Sequence, residues 1–145
     1  MNILIINGPN LNLLGIRRPE LYGGKTLIET NEFIKSYFKG VKLHFFQSNH
    51  EGEIIDKIHE SMKIQHGIVL NPGAFGHYSY AIRDAIEACT IPVVEIHISN
   101  IAAREEFRKS SVISDVCKGT ISGLGIYGYV LAVQALVHQL KRKDR

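Results

Sequence analysis

The fold is decided near the start of the chain, where the apolar run Ile3-Leu4-Ile5-Ile6 leads into the loop Asn7–Gly24, NGPNLNLLGIRRPELYGG. The run is continuous and rich in β-branched residues, which predicts a strand covered on both faces. Thr26 and Glu29 have the spacing of a capping box and predict the start of a helix. The loop between strand and helix is long for such a connection, and loops of this kind are usually functional, often as lids.

The alternation of strand and helix continues to the end of the chain. Strands are predicted at 41–45, 67–70, 92–96 and 119–124, and helices at 26–39, after a second capping box at 48–51, and at 79–89, 102–108 and 127–141. The second strand alternates apolar and polar residues, as an edge strand does. The sequence therefore predicts an α/β fold with a doubly wound, five-stranded parallel sheet in the flavodoxin-like order 2-1-3-4-5, in three layers α/β/α. No linker or repeat interrupts it, so residues 1–145 are predicted to form a single catalytic domain.

The composition is that of an average soluble globular protein, with 45% hydrophobic residues, 21% charged residues and a net charge of +3. The basic tail at 141–145 is interpreted as a solvated helix end rather than a nucleic-acid contact, because no aromatic residues are interleaved with its charges. Neither a signal peptide nor a membrane span is recognised, which predicts a cytoplasmic protein. Cys89 and Cys117 have no metal-type spacing and are interpreted as buried free thiols in a reducing compartment. The apolar surplus at 129–137 fits a subunit contact and deep burial equally well.

Polar side chains cluster after three predicted strands. The carboxyl ends of parallel strands meet at one edge of a sheet, where ligands bind in folds of this type. The clusters are Asn7, Asn10, Arg17 and Tyr22 after the first strand, Asn71 and His77 after the third, and Glu95, His97, Ser99 and Asn100 after the fourth.

Glu95 and His97 are two residues apart at a strand end, so their side chains share a face. A carboxylate beside an imidazole fixes its tautomer and makes it a better general acid near neutral pH. A structural ion pair is the alternative, but the position at the ligand-binding edge favours a function.

Arginines accompany the other candidate groups. Tyr22 follows Arg17 in the loop, and nearby guanidinium groups favour a tyrosinate that could act as a base. A tyrosine packed on its own surface is the alternative. Arg104 and Arg108 are four apart and are predicted to share a face of the short helix. For Arg104, an exposed pair with an adjacent glutamate is equally possible.

The start of the predicted short helix at Ser99-Asn100 offers free N–H groups that suit an anion such as a substrate carboxylate. Capping by Asn100 is compatible with that role. His77 and Asp84 are seven apart and share a helix face if the helix begins early enough. The spacings expected of a metal site, a dinucleotide loop or a Walker loop are not recognised, so no metal and no cofactor are predicted.

At these residues the chain resembles the type II 3-dehydroquinate dehydratases of the shikimate and quinate pathways. The resemblance covers essentially the whole chain and rests on ordered blocks. These are NGPNLNLLG at 7–15, QSNHEG at 47–52, NPGA at 71–74 with His77, Arg83-Asp84, EIHISN at 95–100, REEFR at 104–108, and GLG at 123–125 with Gly128-Tyr129.

The resemblance implies a cofactor-free anti elimination of water from 3-dehydroquinate, which gives 3-dehydroshikimate through an enolate. It implies the following catalytic roles: Tyr22 as the base, Arg17 as the lid arginine that keeps it ionised, Asn10 as the holder of a water against the enolate oxygen, His97 as the general acid and Glu95 as the residue that orients it. It implies that the substrate contacts are Asn71, His77 and Arg108 at hydroxyls, Ile98 and Ser99 at the carboxylate, and Asp84 from a neighbouring subunit of a dodecamer of four trimers.

The chain departs from the usual pattern of this family at Arg18, where an acidic residue is common, at Gly76 and Tyr78, where threonines are usual, and at Ala102, a common histidine. Two rival modules share the expected fold. A receiver domain would need paired acidic residues after the first strand, and a flavin module a hydroxyl-rich phosphate loop. This chain has Asn7-Gly8-Pro9 at that position.

Overall fold

The computed structural model describes residues 1–143, so Asp144 and Arg145, the end of the predicted basic tail, lie outside the described residues. Five parallel strands form one sheet in the order β2-β1-β3-β4-β5. Their bounds are β1 Asn2–Asn7, β2 Lys42–Gln47, β3 Gly67–Asn71, β4 Val93–His97 and β5 Gly119–Ser122. The predicted fold class and strand order are confirmed.

The helices lie on both faces of this sheet, and their bounds are α1 Pro19–Tyr22, α2 Leu27–Ser36, α3 Glu51–Ser61, α4 Tyr80–Glu87 and α5 Tyr127–Lys143. Ile3 and Ile5 of β1 pack in the cluster that includes residues of α2 and α5. Leu4 and Ile6 pack in the opposite cluster with residues of α3 and α4. Each of these four side chains is at most 2% exposed, and burying one contributes about 1.5–3 kcal/mol.

The register brings the ends of the central strands level. Asn7, the last residue of β1, pairs with Gln47 of β2 and with Asn71 of β3. His97 at the end of β4 pairs with Ser122 at the end of β5. The polar residues that follow these strands therefore start from one edge of the sheet.

The capping box at Thr26 is confirmed, because the Glu29 N–H donates to Thr26 Oγ1 at 3.2 Å and the Thr26 N–H donates to Glu29 Oε2 at 2.7 Å. The one predicted at 48–51 is wrong. Ser48 Oγ accepts from the His50 N–H at 2.9 Å and donates to Glu53, two residues beyond the predicted partner. The predicted partner, at position 51, accepts instead from Ser79.

The short helix predicted at 102–108 is also wrong. Two 3-10 helices, Ile101–Ala103 and Glu106–Arg108, occupy this stretch. Arg104 lies between them with extended backbone, φ −103° and ψ −165°. Arg104 and Arg108 therefore do not share a face of one helix.

Deep burial accounts for the main apolar face of α5, because Tyr129, Val130, Val133 and Leu136 are at most 1% exposed. Within residues 1–143, no helix is both long and apolar enough to cross a membrane. Both cysteines are free thiols, as predicted, but they are half-buried rather than buried.

Candidate active site

A cavity of about 120 Å³ lies beyond the carboxyl ends of β1, β3 and β4. One water needs roughly 10–15 Å³ by the same measure, so the cavity has room for a small organic ligand. Nine of the eleven predicted site residues line it: Asn10, Arg17, Tyr22, Asn71, His77, His97, Ile98, Ser99 and Arg108. The other two are elsewhere, since Glu95 lies behind His97 and Asp84 is exposed on α4.

The long loop after β1 folds over the cavity as a 3-10 helix at Leu11–Leu13 followed by α1. Asn10 stands at its start in the left-handed region, with φ 67°. The Asn10 N–H donates to Asn49 Oδ1 at 2.9 Å, and Gln47 Nε2 donates to the same oxygen at 3.1 Å. The end of β2 therefore fixes the backbone of Asn10 at the cavity.

Tyr22 ends α1 and is 9% exposed. Its hydroxyl oxygen accepts a hydrogen bond from Arg104 Nη1 at 2.7 Å. The guanidinium carbon of Arg17 lies 5.2 Å from the centre of the Tyr22 ring, and that of Arg104 lies 5.5 Å from it. Two positive charges surround this tyrosine, and the arginine that reaches its oxygen is Arg104.

Arg104 is a functional candidate that the sequence did not assign to the site. Its side chain is 8% exposed, also donates to Ser99 Oγ at 3.3 Å, and lies 3.9 Å from a carboxylate oxygen of Glu105. The extended backbone between the two 3-10 helices turns it into the cavity. The REEFR block was the available signal, but an assumed helix concealed the direction of the side chain.

On the strand side of the cavity, the Glu95 carboxylate meets the His97 ring. His97 Nε2 and Glu95 Oε1 are 2.6 Å apart, and Glu95 is fully buried. Burial opposes ionisation of this carboxyl, but hydrogen bonds from His97, Ser114 and Ser111 outweigh it and hold the Glu95 pKa below its usual value. The carboxylate therefore orients the imidazole and leaves its other nitrogen for the cavity.

His77 stacks on His97, with ring centres 5.8 Å apart and an angle of 23° between the rings. Its Nδ1 lies 2.8 Å from the Ser110 carbonyl oxygen. Burial lowers the His77 pKa, and the hydrogen bond to Ser110 only partly opposes this effect. The predicted shared helix face with Asp84 is wrong, because α4 begins at Tyr80, after His77.

Asn71 is held from behind by a buried hydroxyl. Its Nδ2 donates to the Tyr129 hydroxyl at 2.7 Å, and that hydroxyl donates to Asn7 Oδ1 at 2.5 Å. Asn71 Oδ1 accepts from the Gly73 N–H at 3.2 Å. Burial raises the Tyr129 pKa, so its hydroxyl stays neutral. Tyr129 is a supporting residue that sequence reasoning placed only in the core.

Ile98 and Ser99 follow β4 and line the cavity next to Arg104. Asn100 caps the next turn, since its Oδ1 accepts from the Ala102 N–H at 3.2 Å, as predicted. Arg108 also lines the cavity, and its Nε donates to Glu105 at 2.5 Å. In the part of the chain that the structure describes, no three His, Cys, Asp or Glu residues are grouped as metal ligands.

This arrangement can be compared with known proteins. The sequence model of the family described as Dehydroquinase class II matches residues 1–137. The chain belongs to this family. A 3-dehydroquinate dehydratase of Bacillus subtilis (strain 168) is 57% identical over 146 residues, covering 99% of each chain. One of Clostridium botulinum (strain Okra / Type B1) is 56% identical over 144 residues, covering 98% of each.

Solved structures agree with this assignment to the class II dehydroquinases. The crystal structure of a type II dehydroquinase from Butyrivibrio crossotus DSM 2876 superposes with a TM-score of 0.92 at 50% identity, covering 94% of this chain and 97% of that one. That of a type II dehydroquinase from Propionibacterium acnes gives a TM-score of 0.89 at 41% identity, covering 97% and 96%.

One departure of this class II dehydroquinase from the usual family pattern has a clear packing role. A Cβ at Gly76 would lie 2.6 Å from Pro72 Cγ and 3.5 Å from His97 Cε1. The glycine therefore lets the turn after β3 fold back closely onto Pro72, beside the His97 ring.

Proposed function

We propose that this class II dehydroquinase removes water from 3-dehydroquinate by anti elimination, giving 3-dehydroshikimate through an enolate, in the shikimate pathway of aromatic amino-acid biosynthesis. The observation that carries the proposal is the pairing within one cavity of an arginine-bound Tyr22 and a carboxylate-backed His97. An elimination needs a base and an acid at separate positions on the substrate, and here they come from the loop and from β4. The relatives named 3-dehydroquinate dehydratase support the choice of substrate.

Tyr22 is the base in this proposal. As tyrosinate it takes a proton from the carbon beside the ketone, and the electrons of that C–H bond pass to the ketone oxygen as an enolate. The hydrogen bond from Arg104 at 2.7 Å and the Arg17 charge beside the ring favour the anionic oxygen. The arginines therefore place positive charge next to the oxygen that carries the negative charge of the proposed base.

Asn10 stabilises the enolate by holding a water against its oxygen. The bond from its N–H to Asn49 fixes its position before the substrate arrives. Preorganised donors of this kind matter where charge develops, and removing one costs about 3–4 kcal/mol of transition-state stabilisation.

His97 completes the reaction as the general acid. The enolate expels the hydroxyl group, which takes a proton from the His97 nitrogen that faces the cavity and leaves as water. Glu95 holds the opposite nitrogen at 2.6 Å and stabilises the imidazolium form. The sequence of steps is redox-neutral and each proton has a named side chain, so the proposal invokes no metal and no cofactor.

The remaining cavity residues bind the substrate in this proposal. The backbone N–H groups of Ile98 and Ser99 receive the carboxylate, while Asn71, His77 and Arg108 contact hydroxyl groups. All five line the cavity. An imine route would need a lysine, and none of the lining residues within 1–143 is a lysine.

Asp84 is assigned to the cavity of a neighbouring subunit. It is exposed on α4 and does not line the cavity of its own chain, which suits a residue that completes another copy. The proposed assembly is a dodecamer, a tetramer of trimers, in which residues 1–145 form a single catalytic domain. The free thiols suit a reducing compartment and support a cytoplasmic location. Light scattering on the purified protein tests the assembly.

The function is tested by following the absorbance of the conjugated enone as purified protein acts on 3-dehydroquinate. Turnover that survives both a chelator and borohydride treatment with substrate present is the expected result. Loss of activity with borohydride would indicate an imine route. Absence of turnover in folded, oligomeric protein would overturn the proposal.

A further inference from the structure

The Glu95 carboxylate accepts four hydrogen bonds. Its Oε1 accepts from His97 Nε2 at 2.6 Å and from the Ser111 hydroxyl at 2.7 Å. Its Oε2 accepts from the Ser114 hydroxyl and from Thr120 Oγ1 at 3.1 Å. An ionised carboxylate has about four lone-pair positions, so every one of them is occupied. Protonation of Glu95 would require one of these groups to give up its donated hydrogen bond, by rotating its hydroxyl or by moving away.

Ser111 and Ser114 belong to the segment 110–114. Its backbone is fixed to the turn after β3 at two points. The Val112 N–H donates to the Gly76 carbonyl oxygen at 2.8 Å, and the Ser110 carbonyl oxygen lies 2.8 Å from His77 Nδ1. One segment therefore holds the carboxylate behind His97 and the histidine stacked on it.

We propose that Ser111 and Ser114 are positioning residues for the general acid, since their hydroxyls keep the Glu95 carboxylate ionised and aimed at His97. The assignment of the acid rests on the proposed function, but the hydroxyl contacts to Glu95 do not. The serines act through Glu95. The carboxylate in turn fixes the His97 tautomer, because the ring nitrogen that faces it, Nε2, must carry a proton to donate to it.

Few other groups near Glu95 change charge around neutral pH. Burial, with the Glu95 charge next, raises the pKa of the Cys117 thiol to about 12, so it stays neutral. Asp115 makes an ion pair with Arg83 at 2.7 Å. The two stacked histidines are the remaining titratable neighbours, and His77 is biased towards its neutral form by burial. A change in the acid limb after a serine substitution therefore reports on the Glu95–His97 pair.

The kinetic experiment compares Ser111→Ala and Ser114→Ala with the parent protein across pH. Each substitution removes a donor to a charged group, so kcat is expected to fall about tenfold while KM changes less than about twofold. The acid limb of kcat is expected to move to higher pH, because a carboxylate that has lost a donor protonates more readily. Ser114→Thr keeps a hydroxyl and is expected to recover most of the activity.

The matched control is Ser61→Ala. Ser61 is buried, at 1% exposed, and its hydroxyl donates to the Lys57 carbonyl oxygen in α3, away from the cavity. The Ser61→Ala substitution removes the hydrogen bond of a buried serine without changing any contact to Glu95. The control is expected to leave the pH profile unchanged even if it lowers stability. A profile that moves equally in the control would contradict the proposal.

A titration without substrate separates this proposal from the proposed function. The side-chain carboxyl of Glu95 is followed by 13C NMR, assigned with Glu95→Gln, and the His97 ring by 15N NMR. In each serine-to-alanine variant, Glu95 is expected to titrate about one pH unit higher than in the parent protein. An unchanged titration would overturn the serine roles even if turnover is found. A shifted titration in a protein without turnover would uphold them and reject the function.

Discussion

The two sides of the cavity are built differently. On the strand side, Asn71, Glu95 and His97 are 3%, 0% and 5% exposed. On the loop side, Asn10 is exposed, Arg17 is half-buried and Tyr22 is buried. Hydrogen-bond partners from other elements fix the strand side, whereas guanidinium charges surround the key group of the loop side.

The difference indicates how each half is prepared for its role. On the strand side, Glu95 has its full set of hydrogen bonds before substrate arrives, so the fold itself fixes the geometry of the general acid. The loop side depends on a loop that must lie over the cavity before Tyr22 can accept its hydrogen bond from Arg104. Substitutions on the two sides should therefore separate effects on stability from effects on turnover.

The largest expected effect is on the loop side. Tyr22→Phe removes the proposed base and is expected to lower kcat about 10³-fold, within the range for general-base catalysis, with unfolding unchanged. Steady-state kinetics and urea unfolding measure the two quantities. Tyr37→Phe, at an exposed tyrosine off the cavity, is the control. Near-normal turnover in Tyr22→Phe would remove the base assignment.

Glu95→Gln tests the strand side. The amide offers N–H groups where the carboxylate accepts hydrogen bonds, so kcat is expected to fall about 10²-fold. The free energy of unfolding is expected to fall by about 1–3 kcal/mol, because buried donors lose their acceptor. Glu60→Gln, at an exposed glutamate in α3, is the control. A loss of turnover without a loss of stability would contradict the distinction between the two sides.

Arg104→Lys tests the contact that joins the loop to the turn after β4. A lysine keeps the charge but not the planar guanidinium that bonds both Tyr22 and Ser99, so kcat is expected to fall about tenfold. Stability should change little. Arg142→Lys, at an exposed position of α5, provides the comparison. Unchanged kinetics would show that the hydrogen bond to Tyr22 does not help the base.

The pH dependence of the free energy of unfolding should report on the strand side of the cavity, through the Glu95 carboxylate, and not on the loop side. Because the folded Glu95 pKa lies below its usual value of 4.5, its stabilising contribution is complete above that pH. The contribution is lost as pH falls through the lower, folded value. Urea unfolding between pH 7 and pH 3 should show a smaller acid-side loss for Glu95→Gln than for the parent protein. Parallel curves would contradict this.

The smallest effect is expected at Arg18, which has φ 41° in the loop and pairs with the exposed Glu20. A non-glycine residue is strained in this region, and asparagine tolerates it better. Arg18→Asn is expected to raise the free energy of unfolding by less than about 1 kcal/mol with kcat within about twofold. Arg142→Asn should give no gain. A destabilised Arg18→Asn variant would show that the ion pair outweighs the strain.

The sequence predicted the sheet because its signals are local. The run at 3–6 and the capping box at Thr26 act within a few residues, and five such units leave few topologies. Arg104 was placed on the helix predicted at 102–108, where its four-residue spacing to Arg108 would put both side chains on one face. In the structure the helix is interrupted at Arg104, whose side chain bonds Tyr22 in the cavity. This contact lies far away in the sequence, so the residues next to Arg104 do not predict the interruption.

Contacts between segments that are distant in the sequence could not be predicted from sequence patterns. Three of the four donors to Glu95 come from residues 16, 19 and 25 positions later, and no local pattern relates them. At Ser48 the predicted capping box failed because α3 begins only at Glu51, with His50 rather than Ser48 in the N-cap position. Asp84 and the other residue roles remain predictions, since they depend on substrate and neighbouring subunits.

The Tyr129 hydroxyl joins Asn7 and Asn71, across 122 and 58 positions of the chain. During synthesis the first strand therefore leaves the ribosome long before the helix that completes its polar contacts. Until α5 docks, two buried amides beneath the cavity lack their partner, and contacts at such long range form slowly. Catalytic competence should consequently be acquired late, as one of the last events of folding.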